Sequence, residues 1–128
     1  MDAAGIAIWE RTPYWVPELQ RSLTGTAAKI SACRLEQDVE ERLARQFGQL
    51  VIVSHEGGRL PLRSIQNWID RGVRCHVVLD ETQRPVRWFL HEVGATSVLD
   101  FDQARRSLVG ACRWWAGLAS QSKLFATT

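Results

Sequence analysis

Short apolar segments alternate with longer amphipathic segments along the chain. The apolar segments cover residues 6–9, 28–33, 50–53, 75–79 and 97–99, and runs such as LVIV and HVVL are continuous and do not alternate with polar residues. Strands that are apolar on both faces are typical of a parallel sheet with helices on both sides. The pattern therefore predicts five βα units joined by right-handed crossovers.

The segments between the predicted strands have the spacing and boundary residues of helices. We expect helix one to begin at Thr12 and Pro13, where a capping hydroxyl precedes a proline. Helix two has an apolar side chain every four residues and is expected to end before Gly48. Its apolar positions are Leu35, Val39, Leu43 and Phe47.

The last three helices are predicted in the same way. Helix three covers residues 61–71, before Gly72, and helix four begins near Pro85 and ends before Gly94. Helix five follows Asp102, because aspartate favours the N-cap position, and residues 120–128 are expected to form a polar, frayed tail. The apolar stripe of helix five consists of Ala104, Leu108, Cys112, Trp115 and Ala119.

Five such units in 128 residues predict one domain, with a core over about residues 5–119. The expected architecture is a three-layer, doubly wound α/β fold of flavodoxin-like type, with a five-stranded parallel sheet in the order 2-1-3-4-5. Ligands of such sheets bind beyond the carboxyl ends of the strands. The residues that follow the predicted strands are therefore the first candidates for a functional site.

Composition and charge restrict the class of protein further. The chain is 45% hydrophobic and 23% charged, with a formal net charge of +2, which excludes a disordered or fibrous protein. No apolar run approaches the roughly 20 residues of a membrane span, and the N-terminus lacks a basic leader segment. We expect no membrane association, a cytoplasmic location and, from the near-neutral charge, no nucleic-acid partner.

The cysteines indicate neither a disulfide framework nor a zinc site. Cys33, Cys75 and Cys112 are widely separated and form no CxxC pair. Cysteine in an apolar segment behaves as a small hydrophobic residue. We therefore expect three buried, reduced thiols and no cofactor.

The segment VGATSVLDFDQARRSLVGACRWW resembles the end of the receiver domain of response regulators, with a Gly-Ala pair, a short fifth strand and a final helix. LVIVSHEGG and HVVLDE occupy the places of that family's third and fourth strands, and the resemblance extends from Ile6 to about Ala119. It implies a role in two-component signalling. Receivers bind Mg²⁺ through an acidic pair after strand one and phosphorylate an aspartate after strand three. A Ser or Thr ends strand four, and a Lys ends strand five.

The first two of these positions are changed in this chain. Trp9 and Glu10 stand where the resemblance places the acidic pair, which leaves one carboxylate. Ser54, or His55 in a register shifted by one residue, stands at the acceptor position. We expect Trp9 to fill the vacated acidic pocket.

The later positions are changed as well. Asp80 ends the fourth strand, and Asp100 and Phe101 stand where the family has lysine. No shift in alignment restores that cation, because the chain has no lysine between Lys29 and Lys123. Carboxylates in place of lysine would repel a phosphoryl group. The chain is therefore expected to be a degenerate receiver that acts without phosphorylation and is not an enzyme.

The same carboxylates permit an alternative function. Carboxylates that converge on one edge of a sheet can bind Mg²⁺ or Ca²⁺, and a neighbouring histidine can act as a base. The alternative is a divalent-cation-dependent enzyme or a small-ligand binder, although no metal site is our first expectation. Its residues would be Glu10, Glu56, Asp80 and Asp100, with His55 as the base.

Tryptophan and arginine residues suggest an interaction surface. Trp114 and Trp115 point about 100° apart on a helix, so both cannot face the core, and we expect Trp114 to be exposed. Exposed tryptophan and arginine contribute strongly to protein interfaces. We therefore expect an unidentified protein partner or a homodimer through helices four and five. The candidate residues are Trp88, Arg105, Arg106, Arg113 and Trp114.

Overall fold

The computed structural model of the chain describes residues 4–45 and 47–126, in which strands and helices alternate. The strands are β1 (Ala4–Glu10), β2 (Lys29–Cys33), β3 (Phe47–Ser54), β4 (Arg74–Leu79) and β5 (Ser97–Asp100). The α-helices are α1 (Trp15–Ser22), α2 (Glu36–Arg45), α3 (Leu62–Asp70), α4 (Arg87–Glu92) and α5 (Phe101–Ala126), and a 3₁₀ helix (Glu81–Val86) precedes α4.

The five strands form one parallel sheet in the order β2-β1-β3-β4-β5. This confirms the flavodoxin-like α/β fold that the apolar pattern predicts. The register aligns Glu10 with Ser54 across β1 and β3, and Leu79 with Asp100 across β4 and β5. The chain therefore brings the ends of these strands to one edge, which we call the carboxyl edge.

Apolar side chains form one core on each face of the sheet. Helices α2, α3 and α4 cover one face, where Val39 and Trp68 are fully buried. Helices α1 and α5 cover the other face, where Leu19 and Leu108 are buried. The three cysteines are buried free thiols, as expected, and burial raises their pKa values, to about 12 for Cys75. None of the described helices has the length and apolar character needed to cross a bilayer.

Two predictions for the first half of the chain are wrong. Helix α1 begins at Trp15 instead of at Thr12 and Pro13, because the carboxylate of Glu10 caps it. Helix α2 contains neither end of its predicted apolar stripe: Leu35 lies before the helix and is 57% exposed, and Phe47 is the first residue of β3. Pairing of β3 with β1 extends back to Phe47 and prevents the helix from reaching it.

Three predictions for the second half are corrected. The segment around Pro85 is a 3₁₀ helix, and α4 begins only at Arg87. Helix α5 begins at Phe101, and its N-terminal cap is Asp100 instead of Asp102. The helix continues to Ala126, so the segment predicted as a polar tail is helical through residue 126, and residues 127–128 lie outside the described part of the chain.

Candidate functional site

Glu10 at the end of β1 is a helix cap. Its Oε1 accepts hydrogen bonds from the backbone N–H groups of Tyr14 and Trp15 at 3.0 and 2.9 Å, and its Oε2 accepts one from Val16 at 3.0 Å. The first N–H groups of a helix have no partner within the helix and favour a negative charge. Glu10, the one carboxylate left at the positions of the expected acidic pair, therefore caps the N-terminus of α1.

Ser54 lies beside Glu10 at the end of β3 and is only 4% exposed. At neutral pH a serine hydroxyl is uncharged, whereas an aspartate side chain is an ionised carboxylate. The position that the receiver resemblance assigns to the phosphoryl acceptor is therefore both chemically altered and buried.

Trp9 and His55 pack against each other at the same edge. Trp9 is 7% exposed, its Nε1 donates to the carbonyl oxygen of Arg34 at 3.1 Å, and its ring centre lies 5.1 Å from that of His55. The Nδ1 atom of His55 is buried without a hydrogen-bond partner. A Cβ atom on Gly58 would lie 2.1 Å from that Nδ1, so only glycine fits against the imidazole. Two aromatic rings thus occupy this part of the edge.

Asp80 at the end of β4 accepts three hydrogen bonds. They come from the N–H of Gly57 at 2.5 Å, the hydroxyl of Thr82 at 2.6 Å and the N–H of Gln83 at 3.0 Å. The Thr82 hydroxyl, and after it the backbone N–H groups, lower the pKa of Asp80, despite the opposing effect of desolvation. The carboxylate therefore joins the loop after β3 to the 3₁₀ helix after β4.

Gln83 completes this junction. Its side chain is buried, and its Nε2 donates to the carbonyl oxygens of His55 at 2.7 Å and Gly58 at 2.8 Å. Its Oε1 accepts from the N–H of Asp80 at 3.0 Å, so Asp80 and Gln83 form a reciprocal capping box. One amide side chain thus satisfies three backbone groups.

Asp100 and Gln103 repeat the same arrangement after β5. The N–H of Gln103 donates to Oδ1 of Asp100 at 2.8 Å, and the N–H of Asp100 donates to Oε1 of Gln103 at 3.0 Å. The neighbouring Phe101 is 36% exposed, and its ring centre lies 5.0 Å from that of Tyr14. The residues in place of the family's lysine therefore start α5 and pack against α1.

Gln83 and Gln103 are the site residues that the sequence interpretation missed. The signal was available, because both strands end within the pattern Leu-Asp-x-x-Gln, in LDETQ and LDFDQ. An aspartate with glutamine three residues later has the spacing of a capping box.

The structure does not assemble the carboxylates of the alternative function. Glu10, Asp80 and Asp100 each accept backbone N–H groups, and Glu56 is exposed, with its carbonyl oxygen 3.1 Å from Arg11 Nη1. Among the described residues, no three His, Cys, Asp or Glu side chains lie where they could share a metal ion.

The proposed surface residues lie on both sides of β5, the edge strand. Trp88 on α4 is 68% exposed and Trp114 on α5 is 60% exposed, whereas Trp115 is buried, as predicted. Arg105 is within 3.2 Å of Asp102 and lies over the ring of Phe101. Arg106 and Arg113 are exposed on α5. No contact joins Trp88 to Trp114 within the described residues, so the two indoles are separate exposed features of α4 and α5.

Comparison of the chain with protein-family models, with curated proteins and with solved structures finds no match. Inferences about function therefore depend on the geometry above.

Proposed function

We propose that the chain is a phosphorylation-independent interaction module with a receiver-like fold, of the kind found in two-component signalling. The observation that carries the proposal is that Glu10, Asp80 and Asp100 all cap helices at the carboxyl edge. A carboxylate that accepts several N–H groups has few lone pairs left for a metal ion. The edge is thus suited to holding loops in one conformation, and less suited to phosphoryl transfer.

The acceptor position supports the same proposal. Ser54 is buried, and the indole of Trp9 packs on His55 beside it. Formation of an aspartyl phosphate requires a carboxylate nucleophile, a divalent cation and a positive charge near the developing anion. This edge supplies backbone caps and aromatic rings where the receiver family has those groups.

Exposed aromatic residues beside β5 favour self-association as the output. Arg87 donates to the carbonyl oxygen of Val98 at 3.0 Å, which blocks one backbone acceptor of the edge strand. Addition of another strand is thereby disfavoured, and side-chain contacts through α4 and α5 are favoured. Trp88 and Trp114 would supply the apolar area of a homodimer interface. A cytoplasmic location and the absence of a nucleic-acid partner stay predictions.

Light scattering with and without a phosphoryl donor and Mg²⁺ tests the proposal. We expect a dimer of the same mass in both conditions. In Trp114→Ala, the dissociation constant of the dimer should rise at least about tenfold. Leu35→Ala is the matched control, because Leu35 is 57% exposed but lies after β2 at the opposite edge of the sheet. A dimer that forms only with the phosphoryl donor would contradict the proposal.

The cation-dependent alternative predicts a different result. Calorimetric titration with Mg²⁺, Mn²⁺ and Ca²⁺ would show micromolar binding that disappears in Asp80→Asn or Glu10→Gln. We expect no binding, because both carboxylates already accept backbone N–H groups.

A further inference from the structure

A cavity lies between β4, β5 and residues 107–115 of α5, away from the carboxyl edge. Its volume is about 260 Å³, and its lining includes Arg74, His76, Ser97, Ser107, Trp114 and Trp115. The cavity opens to solvent, because Arg74, Ser107 and Trp114 in its lining are exposed. This cavity results from small side chains on α5, where Ser107 and Ala111 face it.

His76 makes the cavity polar at a position where the sheet is otherwise apolar. The neighbouring residues on this face of the sheet, such as Ile52 and Val78, are hydrophobic. His76 is 5% exposed and pairs in register with Ser97, whose Oγ lies 2.7 Å from its Nδ1. Its Nε2 has no hydrogen-bond partner in the part of the chain that the structure describes. His76 itself lines the cavity, so its imidazole has one nitrogen still available for a bound molecule.

The remaining walls combine aromatic surface with one positive charge. The guanidinium carbon of Arg74 lies 5.9 Å from the ring centre of Trp114, and Leu99 and Leu108 add apolar area. Among the residues that the structure describes, none in the cavity lining is acidic. Burial, together with the charge of Arg74, lowers the pKa of His76 to about 4, so the imidazole is neutral at pH 7.

We propose that this cavity binds a small planar aromatic carboxylate, with the ring between Trp114 and the sheet, the carboxylate on Arg74 and a polar substituent or bound water on His76. A guanidinium pairs strongly with a carboxylate, and indole surfaces favour flat aromatic ligands. The volume is below the range of about 300–1,000 Å³ typical of drug-sized ligands, which limits the molecule to one or two rings. The cavity shares Trp114 with the dimer surface proposed above, and the variants that test ligand binding leave Trp114 unchanged.

Titration with 2-naphthoate, compared with the uncharged 2-naphthamide, tests the site by calorimetry. We expect saturable binding of 2-naphthoate, at least about tenfold tighter than binding of the amide. Arg74→Gln should remove that preference. Arg113→Gln is the matched control, because it removes an exposed arginine beside Trp114 that does not line the cavity.

A second variant tests the location of the ring. Ser107→Leu places a larger side chain at an exposed position of α5 that lines the cavity, and it should abolish binding of both probes while the melting temperature stays within a few degrees. Equal affinity for naphthoate and the amide would overturn the proposal. So would equal losses in Arg74→Gln and Arg113→Gln, or unchanged binding in a folded Ser107→Leu.

Discussion

The polar side chains near the two ends of β4 differ in how many of their hydrogen-bonding groups have partners. At the carboxyl end, Asp80 and Gln83 form hydrogen bonds with each other and with the loop after β3. Nearer the other end, His76 lines a cavity and makes one side-chain hydrogen bond within the described residues, to Ser97. We call the network of Asp80 and Gln83 closed, because these side chains bond to each other and to neighbouring backbone groups. We call the arrangement at His76 open, because one ring nitrogen has no partner among the described residues.

The difference shows why polarity alone is a poor guide to a binding site. The family resemblance and the rule for parallel sheets both direct attention to the carboxyl end of β4, and the polar residues are there. The hydrogen bonds of Asp80 and Gln83 are already satisfied, however, and satisfied groups stabilise the fold without binding a ligand. His76 inside the strand and His55 beside Trp9 each keep a ring nitrogen without a partner among the described residues, and of the two only His76 lines the cavity.

Removal of the Gln83 side-chain amide should have the largest effect. Gln83→Leu leaves backbone groups of His55, Gly58 and Asp80 without their partner, and we expect a loss of about 4 kcal/mol in the free energy of unfolding. Gln103→Leu breaks a single capping box and should cost about 1 kcal/mol. Urea denaturation measures both, and equal losses would show that the network around Gln83 is not closed.

His76 should make the protein sensitive to mild acid. Its pKa is lowered to about 4 in the folded protein from 6.5, so between these values the unfolded chain binds a proton that the folded chain does not. Stability should therefore fall as the pH falls from 6.5 to 4, by up to about 3 kcal/mol.

His76→Gln should remove this part of the pH dependence in denaturation measured across that range. His91→Gln, at an exposed position on α4, is the control and should leave the dependence intact. An unchanged pH profile in His76→Gln would indicate that another group causes the acid sensitivity.

Gly58→Ala tests how tightly the loop after β3 packs against the His55 ring. The new Cβ would lie 2.1 Å from Nδ1 of His55, so the imidazole must move, and we expect a loss of about 2 kcal/mol. Gly110→Ala meets no atom within 4 Å and lies inside α5, where alanine should stabilise by about 0.5–1 kcal/mol. Thermal melts compare the two, and a Gly58→Ala variant as stable as the parent would mean that the loop is loosely packed.

Asp80→Asn should change the free energy of unfolding least, and the sign of its pH dependence follows from the lowered pKa of Asp80. The lowered pKa means that the carboxylate stabilises the fold at neutral pH and that this contribution is lost as the pH falls through the folded value. The variant should be less stable than the parent at pH 7 and equally stable in strong acid. Asp102→Asn, at an exposed carboxylate, should change little at either pH.

The fold could be predicted from the sequence because continuous apolar strands and amphipathic helices are local patterns. The errors were local as well: Phe47 continues the apolar spacing of α2, but strand pairing between β1 and β3 determines its place. Likewise Asp102 and Asp100 are equivalent as N-cap residues until Gln103 is considered.

The sites were only partly predictable because their bonds join distant segments. Ser54, Trp9 and the three carboxylates were recognised from their places after the strands, but the bonds of Gln83 to the loop after β3 require the folded chain. The cavity beside His76 depends on which side chains of α5 lie opposite β4, and no short motif records that packing.

Intact-mass analysis after incubation with acetyl phosphate and Mg²⁺ tests the central claim, that the carboxyl edge is closed to phosphoryl transfer. The account predicts an unchanged mass in the parent chain. A gain of one phosphoryl group that disappears in Ser54→Ala would contradict it.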